Sequence, residues 1–278
     1  TDAVFSILTQ MNLDLFYPLV SVLYALVGWH FWRTRWRTTQ PSAVWEKMLP
    51  LPALVLHALL LVDTVSNPAG LNLGVGNALS AIIWLAVLIY WLGSFRYRLE
   101  ILLAPLAALA AAAVLAPLAL PATHVLGNTE LLAFRVHLII ALLAYSLFTI
   151  AVLHAALMAM VEKRLHNVNQ SGVVANLPPL LTLESLLFRI IGVGFVLLTL
   201  TLASGMLFSE ELFHEPMQFN HKTIFAILSW VVFAALLSGR RLWGWRGRIA
   251  IRWTLAGFVM LLLAYIGSKF VLEILLRR

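Results

Sequence analysis

The chain contains no cysteine. That absence excludes disulfides, iron–sulfur clusters, thiolate zinc sites and a catalytic thiol, and leaves cysteine usage silent on redox compartment. Charge is scarce as well. Asp, Glu, Lys and Arg make up 11% of the residues and hydrophobic types 62%, where a soluble domain carries about a quarter charged residues. A surface with so few charges must face lipid. Signatures of catalysis are also missing: no HExxH, no Ser–His–Asp order, no paired catalytic carboxylates. The stretch "GVGNALS" is not a phosphate loop, because it opens an apolar span and follows no strand; its glycines instead permit a tight helix start. An enzyme is therefore the class least expected. The net charge of +7 comes from short loops between apolar runs rather than from one polar face, which excludes nucleic acid as a partner.

What is present is a series of apolar runs near the roughly 20 residues that cross a bilayer. Eight are legible, at about 13–32, 47–66, 75–95, 99–119, 131–160, 186–208, 221–239 and 252–274. Turn signals separate them, among them "SNPAGLNLG", "LPATHVLGN" and "NVNQSGVVANLPP". The first run lacks a basic leader and a small-residue cleavage site, so it is expected to stay as a helix. The fifth, continued to Lys163, exceeds one crossing and is expected to project into water. The expectation is an all-α polytopic membrane protein, one integral domain of about eight transmembrane helices.

Lys and Arg in the short loops set the orientation. Arg33, Arg35, Arg37 and Lys47, then Arg96 and Arg98, then Lys163, Arg164 and Arg189, then Arg240, Arg241, Arg246, Arg248 and Arg252 all fall on one side. They are most of the 19 basic residues, so that side is cytoplasmic and both termini lie outside. Arg135, Lys222 and Lys269 break the pattern, at the outer ends of the fifth, seventh and eighth runs. Snorkelling or pairing with Glu130, Glu210, Glu211 and Glu215 is one account of them; a bound anion is another.

Eight histidines sort by depth. His30 and His166 sit on the cytoplasmic side, and His124 and His214 in outer loops. His57 lies near the middle of the second run. His137 is about one turn inside the outer end of the fifth, and His221 opens the seventh at the same depth. Imidazole in lipid is costly, so His57 and His137 should face the interior and hold a partner. Two level histidines on different helices suit a metal centre, since neutral imidazole is a common ligand and bundles build cofactor sites from facing helices. With no carboxylate between them, zinc or di-iron is poorly supplied. Haem b fits better: two imidazoles take its axial positions, and its propionates seek Arg135, Lys222 or Lys269. Phe134, Tyr145, Phe219, Phe225 and Trp230 offer walls for a porphyrin. His154 falls about 260° round the helix and about 25 Å below His137, off the face of a stacked second haem, and is expected to be structural.

"RVHLIIALLAYSLFTIAVLHAALMAMVEKRL", "PPLLTLESLLFRIIGVGFVLLTLTLASGMLF", "GLNLGVGNALSAI" and above all the stretch from "HKTIFAILSW" to "GSKFVLEIL" resemble the inner-membrane cytochrome c assembly family, the haem-handling proteins of CcsA and HemX type, and within it the small YpjD-like branch. The resemblance covers almost all of the chain after the first helix. It implies a haem-binding polytopic protein with His57, His137 and His221 at the family's histidine positions, and His57 as a deeper haem station. It also implies partners among the membrane proteins of cytochrome assembly. One feature departs from the family: where assembly members carry a tryptophan-rich outer loop, this chain has "SEELFHEPMQFNHKT". The resemblance therefore implies haem binding, and leaves open delivery to apocytochrome c, which the family's tryptophan-rich loop serves.

Two other readings stay open. In a transporter, Lys269 with Glu273, Asp63 and His57 would line a path, although no paired inverted repeat is visible. In a scaffold, small-residue runs such as "LAALAAAAVLAPLAL" would permit close contact between helices, with the histidines purely structural.

Overall fold

A computed structural model describes residues 15–35, 43–67, 70–96, 100–120, 131–165, 179–213 and 221–267. The helices are α1 (Phe16–Arg35), α2 (Val44–Met48), α3 (Pro50–Val65), α4 (Val75–Ser94), α5 (Leu103–Ala113), α6 (Ala116–Ala119), α7 (Leu132–Leu165), α8 (Leu180–Phe213), α9 (His221–Trp243) and α10 (Arg248–Leu262). A 3-10 turn at Glu100–Leu102 leads into α5, and a π turn at Leu263–Gly267 follows α10. The only strand pairing among the described residues is a two-residue ladder, Ser66–Asn67 (β1) with Gly70–Leu71 (β2). The protein is an all-α polytopic membrane protein. Among the described residues, seven segments are long and apolar enough to cross a membrane: Val44–Val65, Val75–Ser94, Glu100–Ala119, Leu132–Lys163, Leu180–Leu207, His221–Trp243 and Arg248–Tyr265. The eighth expected span is α1, whose 20 residues include two tyrosines, His30 and two arginines. Both termini fall outside the described residues, as do Lys269 and Glu273.

Contacts divide the chain into two units, 1–127 and 128–278. Unit 1 is a ring in which α1 meets α3 and α5, and α4 meets α3, α5 and α6. The alanine run of α5 makes its tight contact possible: Gly28 of α1 lies where a Cβ would sit 3.2 Å from the Ala104 carbonyl, and Ser21 donates to the Ala111 carbonyl at 2.8 Å. At the basic end, the Glu46 carboxylate accepts from Arg35, from the Ala43 amide (2.8 Å) and from His30 Nε2 (3.2 Å). Lys47 lies 3.5 Å from Glu100. Each charge drawn toward the apolar layer has its counter-charge there, the condition under which burial is tolerated.

Unit 2 is a second ring: α7 packs on α8, α8 on α9, α9 on α10, and α10 back on α7. Successive helices run antiparallel, as cross-contacts show. His137 meets Ser204 while Phe148 lies under Gly194. Trp230 meets Thr199 while Arg240 reaches Glu184. Ser229 Oγ donates to the Gly257 carbonyl at 2.9 Å. The middle of the unit is filled by Phe148 stacked on Phe233, centroids 4.0 Å apart, with Gly257 lying against the Phe233 ring. The sixth span begins at Leu180 rather than near residue 186. Proline ends the preceding segment at 178–179 and a helix can start directly after it, so Glu184 lies inside the helix.

Candidate functional site

His57 lies on α3 with no exposed surface. Its Nε2 is 2.8 Å from Ser80 Oγ on α4 and its Nδ1 is 3.3 Å from the Tyr24 hydroxyl on α1. Three helices are therefore joined through one imidazole. Both ring nitrogens are engaged, so a metal bond at His57 would require one of these hydroxyls to leave. Asp63, on the same helix, is half-buried. Replacing His57 by Ala strands the Tyr24 and Ser80 hydroxyls and opens a void among the three helices. The expected cost is about 3 kcal/mol, visible as an earlier thermal transition of the detergent-purified chain.

In unit 2, α7 and α9 are the diagonal helices of the ring, each flanked by α8 and α10. Both begin at the same end. His137 is half-buried one turn into α7; His221 is the first residue of α9 and is exposed. From the Trp230–Thr199 contact to the start of α9 is about two and a half turns. The same distance along antiparallel α8 leads to within about one turn of Ser204, the partner of His137. The starts of α7 and α9 thus fall at one end of the unit, with the two histidines within about one turn of each other in depth. His137 meets Ser204 on α8, and His221 is exposed at the first residue of α9.

The surroundings of His137 fix its chemistry. Its Nδ1 is 2.7 Å from Ser204 Oγ, and that oxygen is in turn 2.7 Å from the Leu200 carbonyl. A carbonyl only accepts, so the single serine proton goes to Leu200 and Nδ1–H donates to Oγ. The lone pair of the ring then resides on Nε2, the polarity of a metal-binding imidazole whose other nitrogen donates to the protein. Phe134 lies near-parallel to the ring, at 6.4 Å and 15°. A Cβ on Gly205 would stand 3.5 Å from His137 Cε1, so α8 offers the imidazole a flat edge.

Arg135 is exposed in the first turn of α7 and Lys222 is exposed beside His221; Lys269 lies outside the described residues. Of the aromatic candidates, Tyr145 donates to the Leu261 carbonyl at 3.0 Å and faces Tyr265, and Trp230 donates to Thr199 at 2.9 Å. Phe225 is half-buried and Phe219 lies outside the described residues. His154 is buried, with its Nδ1–H donating to the Ile150 carbonyl at 3.1 Å. Ser204, Ser80 and Tyr24 were not singled out from sequence: an isolated hydroxyl on an apolar helix carries no signal of its tertiary partner.

A polytopic helical membrane protein with two such rings now has a family. The sequence matches the family described as cytochrome c assembly protein over residues 9–276, and the chain belongs to it. It is 30% identical over 241 residues to the inner membrane protein YpjD of Escherichia coli, covering 85% of this chain and 90% of that one. An uncharacterized 28.8 kDa protein of Azospirillum brasilense is 32% identical over 184 residues, 65% of this chain and 66% of its own. The cytochrome c biogenesis protein CcsA of Trichormus variabilis is 36% identical over 86 residues, 31% of this chain and 24% of that protein.

Proposed function

We propose that the protein is a haem-binding component of cytochrome c biogenesis in the inner membrane, holding haem b at the His137 end of unit 2 toward the outer face. His137 and His221 would hold its iron, and Arg135, Lys222 and Lys269 would receive its propionates. The observation that carries this reading is the protonation of His137. Nδ1–H donates to Ser204 Oγ, which leaves the ring's lone pair on Nε2, at the end of the ring where α9 begins with a second histidine and a lysine.

The remaining residues have definable tasks. Phe134 and Gly205 bound the His137 ring and restrict its rotation. Exposed Arg135 and Lys222 supply positive charge at the water boundary, where carboxylates would otherwise be costly to bring close to lipid. His221 must turn inward across the end of α8 to meet the same iron. When bound, haem supplies redox and ligand chemistry through its iron; the chain holds and orients it. His57, engaged at both nitrogens, serves here as a tie between α1, α3 and α4.

The test is an optical spectrum of the full chain purified from haem-replete membranes, oxidised and reduced. A Soret band with sharp reduced bands of a six-coordinate haem is expected. A colourless protein from such membranes removes the reading and leaves the transporter and scaffold alternatives, which flux measurements in proteoliposomes and membrane pull-downs then separate.

A further inference from the structure

The connection between α9 and α10 is short and held from several directions. Gly244 and Gly247 take positive φ values of 66° and 53°, open to glycine at no steric cost. The Trp245 amide donates to the Gly239 carbonyl at 3.2 Å, and its ring covers Gly239 so closely that no Cβ fits beneath it. That ring also lies between Trp243, at 5.8 Å, and Trp253, at 5.1 Å.

Two carboxylates from neighbouring helices hold the arginines of this turn. Glu184, buried on α8, is 3.4 Å from Arg246 Nε and 3.4 Å from the Gly247 amide. Glu162 on α7 accepts from Arg248 Nε at 2.7 Å. Both acids therefore engage the Nε edge of an arginine. The side chains of Arg246 and Arg248 nevertheless stay 66% and 69% exposed. A guanidinium anchored at Nε presents its paired Nη groups outward, the donor geometry that matches a phosphate.

Beside these forks the surface is apolar. Leu242 is 71% exposed and Trp243 68%. The turn caps two helices long and apolar enough to cross a bilayer, so it stands at a membrane boundary, where tryptophan rings settle among headgroups.

We propose that Arg246 and Arg248, flanking Gly247, bind the phosphate of an anionic phospholipid headgroup, with Leu242 and Trp243 against its upper acyl chain. The apolar flank selects a lipid over a soluble phosphate, which would leave Leu242 and Trp243 in water. This site is independent of the haem reading.

The experiment is native mass spectrometry of the full chain in micelles containing equimolar phosphatidylglycerol and phosphatidylcholine. Phosphatidylglycerol should be retained in preference. R248Q should reduce that preference about fivefold and R246Q/R248Q about 25-fold, the effect of removing one and two guanidinium groups that meet the headgroup. R33Q, which removes one exposed charge at the basic end of α1, should leave it unchanged. Melting curves establish that each variant is folded; should the double variant unfold, R248Q against R33Q decides. Equal retention of the two lipids overturns the proposal. An R33Q effect as large as that of R248Q also overturns it, showing diffuse charge instead of a built site. So does inorganic phosphate, added alone, displacing phosphatidylglycerol at millimolar concentration.

Discussion

Replacing His137 by Ala in the full chain is expected to abolish the six-coordinate haem spectrum and to weaken haem retention by more than about 100-fold. Disturbing a partner of a metal ligand already costs about 10- to 100-fold in metal affinity, and removing the ligand costs more. His221→Ala should convert the spectrum to a five-coordinate form before haem is lost, because His137 is held by Ser204 and Phe134 while His221 stands exposed at the start of α9. The order matters: the pre-oriented ring is the primary ligand and the exposed one completes the site. His154→Ala is the control. His154 is buried on α7 with its Nδ1 proton on the Ile150 carbonyl, so its loss should lower stability and leave the absorption maxima in place. Spectra unchanged in both the His137 and His221 variants would place any haem elsewhere in the chain.

The helices were legible from sequence because lipid enforces a single rule, a run of apolar residues as long as the bilayer is thick. The rule fails where charge is buried in pairs. The sixth run reads as starting near residue 186, yet Glu184 already lies in the second turn of α8, where Arg240, Arg246 and the Gly247 amide meet it. Those partners lie far along the chain and leave no local trace. Charge bias orders depth, which is why the sequence sets His137 and His221 at one end of their helices, and the antiparallel rungs of unit 2 put the starts of α7 and α9 at one end. Rotation about a helix axis is another matter. Depth says nothing of which neighbour an imidazole faces, so neither Ser204 beside His137 nor Tyr24 and Ser80 around His57 could be foreseen. Small residues were informative in kind, since the alanine run of α5 does receive Gly28, but the particular glycine that matters most in unit 1 had to be located by geometry.

That glycine is Gly76, in the first turn of α4. A Cβ placed on it would stand 2.7 Å from the Ala116 carbonyl oxygen and 2.8 Å from that of Leu120. Both are backbone atoms, one of the first residue of the four-residue α6 and one of the residue that caps it, and backbone does not swing aside as a side chain does. The Ala116 oxygen is already engaged by the Leu120 amide at 2.8 Å, so moving it breaks the last turn of that helix. Asn77, the next residue, donates to the Asn72 carbonyl at 2.9 Å and reaches the Thr64 carbonyl at 3.4 Å, which pins the start of α4 and prevents it from backing away. Gly76→Ala is therefore expected to cost about 3 kcal/mol, the upper range for overpacking, and to lower the thermal midpoint of the purified chain by about 10 °C. Gly93, near the other end of the same helix, has nothing within 4 Å of its Cβ position. Gly93→Ala should gain up to about 1 kcal/mol from helix propensity alone. The two alanines differ only in what α4 touches at each end. Equal midpoints for the pair would mean that α4 does not dock on α6 and that the ring of unit 1 is closed in some other way.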